Sequence, residues 1–183
     1  MPYKIIETSL PEVLLLEPTV FADERGHFFE SFNKNDFFNA TNCNVEFVQD
    51  NVSFSHQGVI RGLHFQNPNP QGKLIRVISG TIYDLAVDLR RGSKNFGQWV
   101  GVELSRENNL QLWVPEGFGH GFQVLSQEAL VSYKTTDFWN SDSEHTIAWD
   151  DPFLSIPWPI KENVTLNPKD LLGTNFHNSE VFT

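Results

Sequence analysis

The chain has 183 residues, about the length of one domain, which is enough to bury a core without disulfide bonds or structural metals. Its formal net charge of −10 argues against a nucleic acid or an anionic membrane surface as a partner. The single cysteine, Cys43, excludes an intramolecular disulfide and a multi-cysteine zinc site, and it fits a reducing cytoplasm.

The first third of the chain contains few regular elements. The apolar run Val13–Leu16 is short and has acids and prolines near it, so it predicts neither a signal peptide nor a membrane span. A short helix is predicted over Asn35–Thr41.

From Val45 to about Trp149, short runs rich in β-branched and aromatic residues are separated by turn signals. The clearest predicted strands are Leu74–Ile78, Thr81–Leu89, Trp99–Leu104, Gln111–Val114 and Leu130–Thr135. Period-two alternation is strongest in the second of these runs. Because no helix of about ten residues intervenes, we expect one mostly β domain over residues 1–183, an antiparallel sandwich or barrel of the jelly-roll type with a few short helices.

The C-terminal part predicts one more helix. Asn167 followed by Pro168 is typical of a helix N-terminus, and the helix is expected to run to Leu172 and to end at Gly173. The tail beyond Gly173 is polar, and we expect it to be loosely held.

Two histidines lie beside glycines within predicted strands, in the segments Ile60–Gln66 and Trp113–Phe122. Glycine allows a strand to bulge, so that a polar side chain can face a cavity. Arg61 and His64 would point to opposite faces of a straight strand, and we therefore predict a bulge at Gly62 that turns both inward. Taken singly, a histidine in such a position is more often a packed structural residue than a functional one.

A catalytic metal is not expected at these histidines. Cupin-type β-barrels bind metal through two histidines one residue apart, a later carboxylate and a further histidine. Here Gln66 stands where the second histidine would be, so the segment cannot assemble a three-nitrogen site.

Proton transfer is the chemistry that remains. His64 suits a general base, and Asp170, in the first turn of the predicted C-terminal helix, is a candidate to orient it. The helix dipole alone would also favour an acid at Asp170. Tyr133 is expected to point inward from its strand, as either a proton donor or an ordinary core tyrosine.

Four cations near glycine or proline could form an anion site or could simply be solvated: Arg25, Arg61, Lys73 and Lys169.

Several motifs follow one another along the chain: DERGHFFE, FVQDN, RGLHFQ, QGKL, FGQWVGVELS, LWVPEGFGHGF and WDDP. Together with Lys169-Asp170 they cover nearly the whole chain, which resembles the dTDP-4-dehydrorhamnose 3,5-epimerases, a family of cupin-like enzymes.

The resemblance implies a cofactor-free epimerase in which His64 is the base, Asp170 its dyad partner and Tyr133 the acid on the other face of the sugar. Lys73 would stabilise charge on the C4 oxygen, and His120 would lie in the same pocket. Trp139 stands where an aromatic residue, often tyrosine, stacks on thymine. Further substrate-binding positions implied by the resemblance are Arg25, Phe28, Glu30, Gln49, Asn51, Arg61, Glu144 and Lys169.

The resemblance also implies a cytoplasmic homodimer that exchanges its N-terminal strands, so that part of each nucleotide site comes from the partner subunit. Three other functions stay open at this point. They are a related enzyme that inverts only C3 or C5, a metal-dependent cupin oxygenase, which the missing second histidine disfavours, and a non-catalytic module that binds a nucleotide sugar.

Overall fold

The structure is a computed structural model and describes residues 2–183. Within these residues the strands are β1 (Lys4–Glu7), β2 (Leu14–Glu17), β3 (Phe21–Asp23), β4 (Gly26–Phe28), β5 (Gln49–His56), β6 (Ile60–Gln66), β7 (Lys73–Ser79), β8 (Thr81–Asp88), β9 (Trp99–Ser105), β10 (Gln111–Val114), β11 (Phe118–Val124), β12 (Glu128–Thr135) and β13 (Glu144–Thr146). The helices are α1 (Lys34–Thr41), α2 (Pro168–Leu171) and a 3₁₀ helix at Phe176–Asn178. None of the helices described is long and apolar enough to cross a membrane.

The strands form two facing antiparallel sheets and a separate hairpin. The larger sheet has the order β1-β2-β10-β7-β12-β5, the smaller one β13-β6-β11-β8-β9, and β3 pairs with β4 alone. Between the two sheets lies an apolar core that includes Ile75 and Val131 from the larger and Ala86 and Phe122 from the smaller. The predicted mostly β, antiparallel jelly-roll fold is confirmed. Of the two predicted forms, sandwich or barrel, hydrogen bonding within residues 2–183 gives two separate sheets that do not close into one barrel.

Two further clusters cover the outer faces of the sheets. Phe37 of α1 packs with Trp113 and Leu74 on the larger sheet. On the smaller sheet, Leu85 and Val87 of β8 pack beneath the segment from 154 to 182. Both faces of β8 are therefore buried.

The C-terminal tail is not loosely held, so that expectation is wrong. Phe176 and Val181 are buried in the cluster on the smaller sheet, and Phe182 forms a bridge with Arg90. A few apolar side chains fix the segment although its composition is polar.

The predicted bulge in β6 is confirmed. His64 lies opposite His120 and Arg61 lies opposite Phe122, so Gly62 and Leu63 together face one residue of β11. Gly62 has a φ of +114°, and a Cβ there would lie 2.6 Å from the His120 carbonyl oxygen. Only glycine fits this position.

Candidate active site

The bulge places His64 beside a buried carboxylate. His64 Nε2 lies 2.5 Å from Asp170 Oδ1, and the Asp170 side chain is fully buried while that of His64 is about a quarter exposed. The Asn167 side chain accepts a hydrogen bond from the Asp170 backbone N–H and so caps α2. The C-terminal helix thus carries Asp170 to the histidine across a separation of 106 residues. This leaves Nδ1 of His64 as the ring nitrogen available to a substrate.

A second histidine–carboxylate pair lies next to the first. His120 is the cross-strand neighbour of His64, and its Nε2 lies 2.7 Å from Oδ1 of Asp84 on β8. Neighbouring residues in such a pair are about 5 Å apart and share one face of the sheet. Both imidazoles therefore face the space between the two sheets.

The larger sheet contributes Lys73 and Tyr133 from the opposite side. They lie on adjacent strands, since Thr135 pairs with Lys73 and Tyr133 pairs with Ile75. Burial lowers the pKa of Lys73 to about 8, against the negative charges of Glu144 and Asp84, which raise it. Burial raises the pKa of Tyr133, and the nearby charge of Arg61 opposes this effect. Tyr133 is therefore a protonated phenol at neutral pH.

Glu144 links the polar residues at one edge of this space. Its carboxylate pairs with Lys169 and accepts a hydrogen bond of 2.8 Å from Trp139 Nε1. Burial raises the pKa of Glu144, but the hydrogen bonds from Lys169 and Trp139 and the charge of His64 more than offset this, so the net shift is downward. Glu144 is therefore anionic at neutral pH, and its charge also acts on Lys73.

Trp139 has an exposed indole on an anchored backbone. The residue is 59% exposed, and its backbone N–H donates to Gln49 Oε1 at 3.0 Å. Gln49 in turn donates to Asn51 Oδ1 at 2.9 Å. The indole face is thus available for stacking next to a fixed set of amides.

The family model for dTDP-4-dehydrorhamnose 3,5-epimerase matches residues 7–178. The chain belongs to this family. An epimerase of that name from Pseudomonas aeruginosa is 51% identical over 179 residues, which are 98% of this chain and 99% of the relative.

Solved structures agree with this assignment. The crystal structure of the epimerase RmlC from Legionella pneumophila, in complex with dTDP-4-keto-L-rhamnose, is 47% identical, has a TM-score of 0.94, and covers 96% of this chain and 94% of its own. ChmJ, a 3′-monoepimerase from Streptomyces bikiniensis solved with dTDP-quinovose, is 30% identical with a TM-score of 0.88, over 93% of this chain and 87% of its own.

In this epimerase, Gln66 organises a loop. Its side-chain nitrogen donates to the carbonyls of Asn69 and Phe138, and its oxygen accepts from the Asn140 backbone N–H. These bonds hold the segment that presents Trp139. Residues 2–183 contain no cluster of three histidine, cysteine or acidic side chains arranged to hold a metal ion.

Arg61 reaches from one sheet of the epimerase to the other. Its Nε donates to Ser55 Oγ on β5 at 2.9 Å, and its charge acts on Tyr133. The inward orientation predicted from the bulge is therefore present.

Two of the predicted site residues, Arg25 and Phe28, lie in the N-terminal hairpin formed by β3 and β4. Arg25 pairs with Asp23 inside the hairpin, and Phe28 is 64% exposed. Within residues 2–183, no hydrogen bond or ion pair joins either residue to the other predicted site residues. Glu30 accepts a hydrogen bond from Asn33 near the start of α1.

Sequence reasoning missed Asp84. The alternation of β8 grouped it with Ala86 and Asp88 on the more polar side of the strand, although all three are fully buried. The contact of Asp84 with His120 depends on β11 lying beside β8, which the strand pattern does not indicate.

Proposed function

We propose that this chain is a dTDP-4-dehydrorhamnose 3,5-epimerase that converts dTDP-4-dehydro-6-deoxy-D-glucose to dTDP-4-dehydro-L-rhamnose. The observation that carries the proposal is the placement of His64, paired with Asp170 of α2, on one sheet and of Lys73 and Tyr133 on the other. A sugar held between the sheets has a base on one face and an acid on the other. The two 3,5-epimerases named above, from Pseudomonas aeruginosa and Legionella pneumophila, support the same reaction.

The chemistry follows from the ketone at C4 of the substrate. The ketone makes the hydrogens on C3 and C5 acidic, because loss of either leaves an enolate with its charge on the C4 oxygen. His64 removes the proton, and the Asp170 carboxylate holds the ring and stabilises the imidazolium that forms. The buried Lys73 ammonium stabilises the enolate oxygen.

Inversion is completed from the opposite side of the ring. Tyr133 donates its phenolic proton to the carbon that His64 deprotonated, and Arg61 is placed to stabilise the phenolate that forms. His64 then loses and Tyr133 regains a proton by exchange with water, so no cofactor is consumed. The same cycle serves C3 and C5 in turn.

The nucleotide is held by the polar residues around Glu144, at the edge of the space between the sheets, and by the few cations of this acidic chain. Trp139 stacks on thymine, while the other proposed contacts to the substrate are Gln49, Asn51, Arg61, His120, Glu144 and Lys169. The indole N–H that binds Glu144 fixes the stacking ring. Tyrosine at this position would carry its polar group elsewhere on the ring.

The reaction is tested by proton NMR of the parent enzyme with the dTDP-4-keto sugar in deuterated water. A 3,5-epimerase places deuterium at both C3 and C5 of an inverted product. A monoepimerase, the alternative that the similarity to ChmJ keeps relevant, labels and inverts only one of the two carbons. A binding module labels neither.

Tyr133→Phe is expected to lower the rate of inversion by roughly 100-fold or more, while deuterium still enters at C3 or C5. The enolate still forms because His64 and Lys73 are intact, and it is reprotonated from the side of the base. The measurement is the same NMR assay, read separately for exchange and for inversion. Inversion at the parent rate would exclude Tyr133 as the acid.

The enzyme is further proposed to be a homodimer that exchanges its N-terminal strands, so that Arg25, Phe28 and Glu30 serve the partner's site. Support comes from the exposed hairpin, where no hydrogen bond or ion pair within the described residues joins Arg25 or Phe28 to the other proposed site residues. Light scattering should give about twice the chain mass of 20.9 kDa.

Cys43 is the only cysteine, and a cytoplasmic location is proposed on that ground.

Shared sites predict complementation between two inactive variants. Co-expression of Arg25→Ala with His64→Asn should restore about a quarter of the parent activity, because half of the dimers are mixed and each has one intact site. Co-expression of His64→Asn with Tyr133→Phe is the matched control, since both residues serve the same chain's site and no intact site forms. A monomer with full activity would contradict the shared site.

A further inference from the structure

Asp84 is a fully buried carboxylate that the proposed mechanism has not used. One oxygen lies 2.7 Å from His120 Nε2, and the other, Oδ2, is buried and has no hydrogen-bond partner within residues 2–183. A buried carboxylate oxygen without a partner is unfavourable for folding. The unpaired oxygen therefore indicates that Asp84 has a role in the site.

Charged and titratable groups approach Asp84 from several strands. His120 on β11 binds it directly, and the charge of Asp84 raises the pKa of Lys73 on β7 of the opposite sheet. Glu144 on β13 is the other anion that acts on Lys73. The remaining groups that face this space are the His64–Asp170 pair beside His120, Arg61 on β6 and Tyr133 on β12.

The contact with His120 determines which ring nitrogen is free. An anionic carboxylate can only accept, so Nε2 of His120 must carry the hydrogen that is donated to Asp84. Nδ1 forms no hydrogen bond within the described residues and is left for the sugar. Without the carboxylate, neither the tautomer of His120 nor the orientation of its ring would be fixed.

The charge of Asp84 acts on Lys73 by a second route. Burial disfavours the Lys73 ammonium and lowers its pKa to about 8, while the charges of Glu144 and Asp84 oppose that effect. Without Asp84, a larger share of Lys73 would be neutral at the pH of the reaction. A neutral amine stabilises an enolate oxygen far less than an ammonium does.

We propose that Asp84 is a positioning residue of the epimerase, which holds His120 in its Nε2–H tautomer and keeps Lys73 protonated at the C4 oxygen of the bound sugar. The inference rests on the proposed function, since it assigns a role within the same site. It also predicts properties of the ligand-free protein that do not depend on the substrate.

The test compares Asp84→Asn with Asp88→Asn. Asp88 is also fully buried on β8, but it binds Arg90 and Ser93 instead of a site residue. In Asp84→Asn, kcat should fall by about 10- to 100-fold with KM nearly unchanged, and the alkaline limb of the pH profile should move to lower pH. In Asp88→Asn, kcat and the pH profile should match the parent, while the melting temperature falls because the Arg90 and Ser93 contacts are weakened.

Two further measurements separate this inference from the proposed function. In ligand-free protein, NMR of isotope-labelled lysine should show Lys73 losing its proton at lower pH in Asp84→Asn than in the parent, and ¹⁵N shifts should show the Nε2–H tautomer of His120 in the parent. These results would stand even if the parent did not act on the dTDP-4-keto sugar. An unchanged Lys73 titration or an unchanged kcat in Asp84→Asn would overturn the proposal, and so would failure of this variant to fold, since Asp84 would then be needed for stability.

Discussion

Replacement of His64 by asparagine is expected to abolish both inversion and the entry of deuterium at C3 and C5. Asparagine cannot take up a proton at neutral pH, so the enolate does not form even though Lys73 and Tyr133 remain in place. General-base catalysis contributes about 10²- to 10⁴-fold, and kcat should fall by at least the upper part of that range because one base serves both carbons. Proton NMR in deuterated water measures the exchange, and calorimetry with dTDP should show that nucleotide binding is kept.

His145→Asn is the matched control for this variant. His145 lies on the neighbouring strand β13, where it stacks on Phe65 and its Nε2 bonds to the Asn67 carbonyl. Its replacement should leave the exchange rate close to that of the parent. Exchange at the parent rate in His64→Asn would mean that another group is the base, and the assignment of the dyad would fail.

Local chemistry explains why most strands could be predicted from the sequence. The predicted strand Gln111–Val114 matches β10, and the turn Ser79-Gly80 separates β7 from β8 as expected, with Gly80 at a φ of +82°. The bulge at Gly62 could be inferred for the same reason, since it depends on one glycine and on the spacing of Arg61 and His64. Turns and bulges are decided by a few adjacent residues.

Long-range packing explains what the sequence did not reveal. The alternation of β8 suggested one apolar and one more polar face, but the C-terminal segment covers its outer face through Leu154 and Phe176. The partner of Asp84 is His120, 36 residues away, and their contact depends on β11 lying beside β8. A strand pattern contains no information about such cover or about strand order.

In the candidate site, too, local features could be predicted from the sequence and long-range contacts could not. From the sequence, Asp170 could be placed at a helix start and named as a candidate to orient His64, and the family resemblance implied that the two form a dyad. The contact itself spans 106 residues and depends on the fold. The bond between Trp139 and Glu144 depends on a loop held by Gln66, a residue noted in the sequence only for what it excluded. Buried polar networks of this kind require the folded structure.

Replacement of Lys73 by methionine is expected to inactivate the enzyme and to stabilise the fold. Loss of the cation at the C4 oxygen should lower kcat by about 10²- to 10³-fold, as does the removal of one electrostatic contact in comparable sites. Burial lowers the pKa of Lys73 from 10.5 to about 8, which corresponds to roughly 3 kcal/mol of destabilisation at neutral pH. Methionine has a similar length and carries no charge, so this penalty is removed.

The pH dependence distinguishes this effect from a simple gain in packing. Below about pH 8 the lysine is protonated in both the folded and the unfolded chain, so the full penalty applies. As the pH rises from 8 to 10.5 the folded protein gives up the proton first, and the penalty disappears. The stabilisation by Lys73→Met, measured by urea unfolding, should therefore be largest at pH 7 and should shrink above pH 8.

Lys134→Met is the control, since Lys134 forms an exposed ion pair with Asp50, and its loss should change the free energy of unfolding by less than about 1 kcal/mol. A Lys73→Met protein that is less stable than the parent at pH 7 would show that the buried ammonium is compensated by its neighbours, and that the site stores no electrostatic strain.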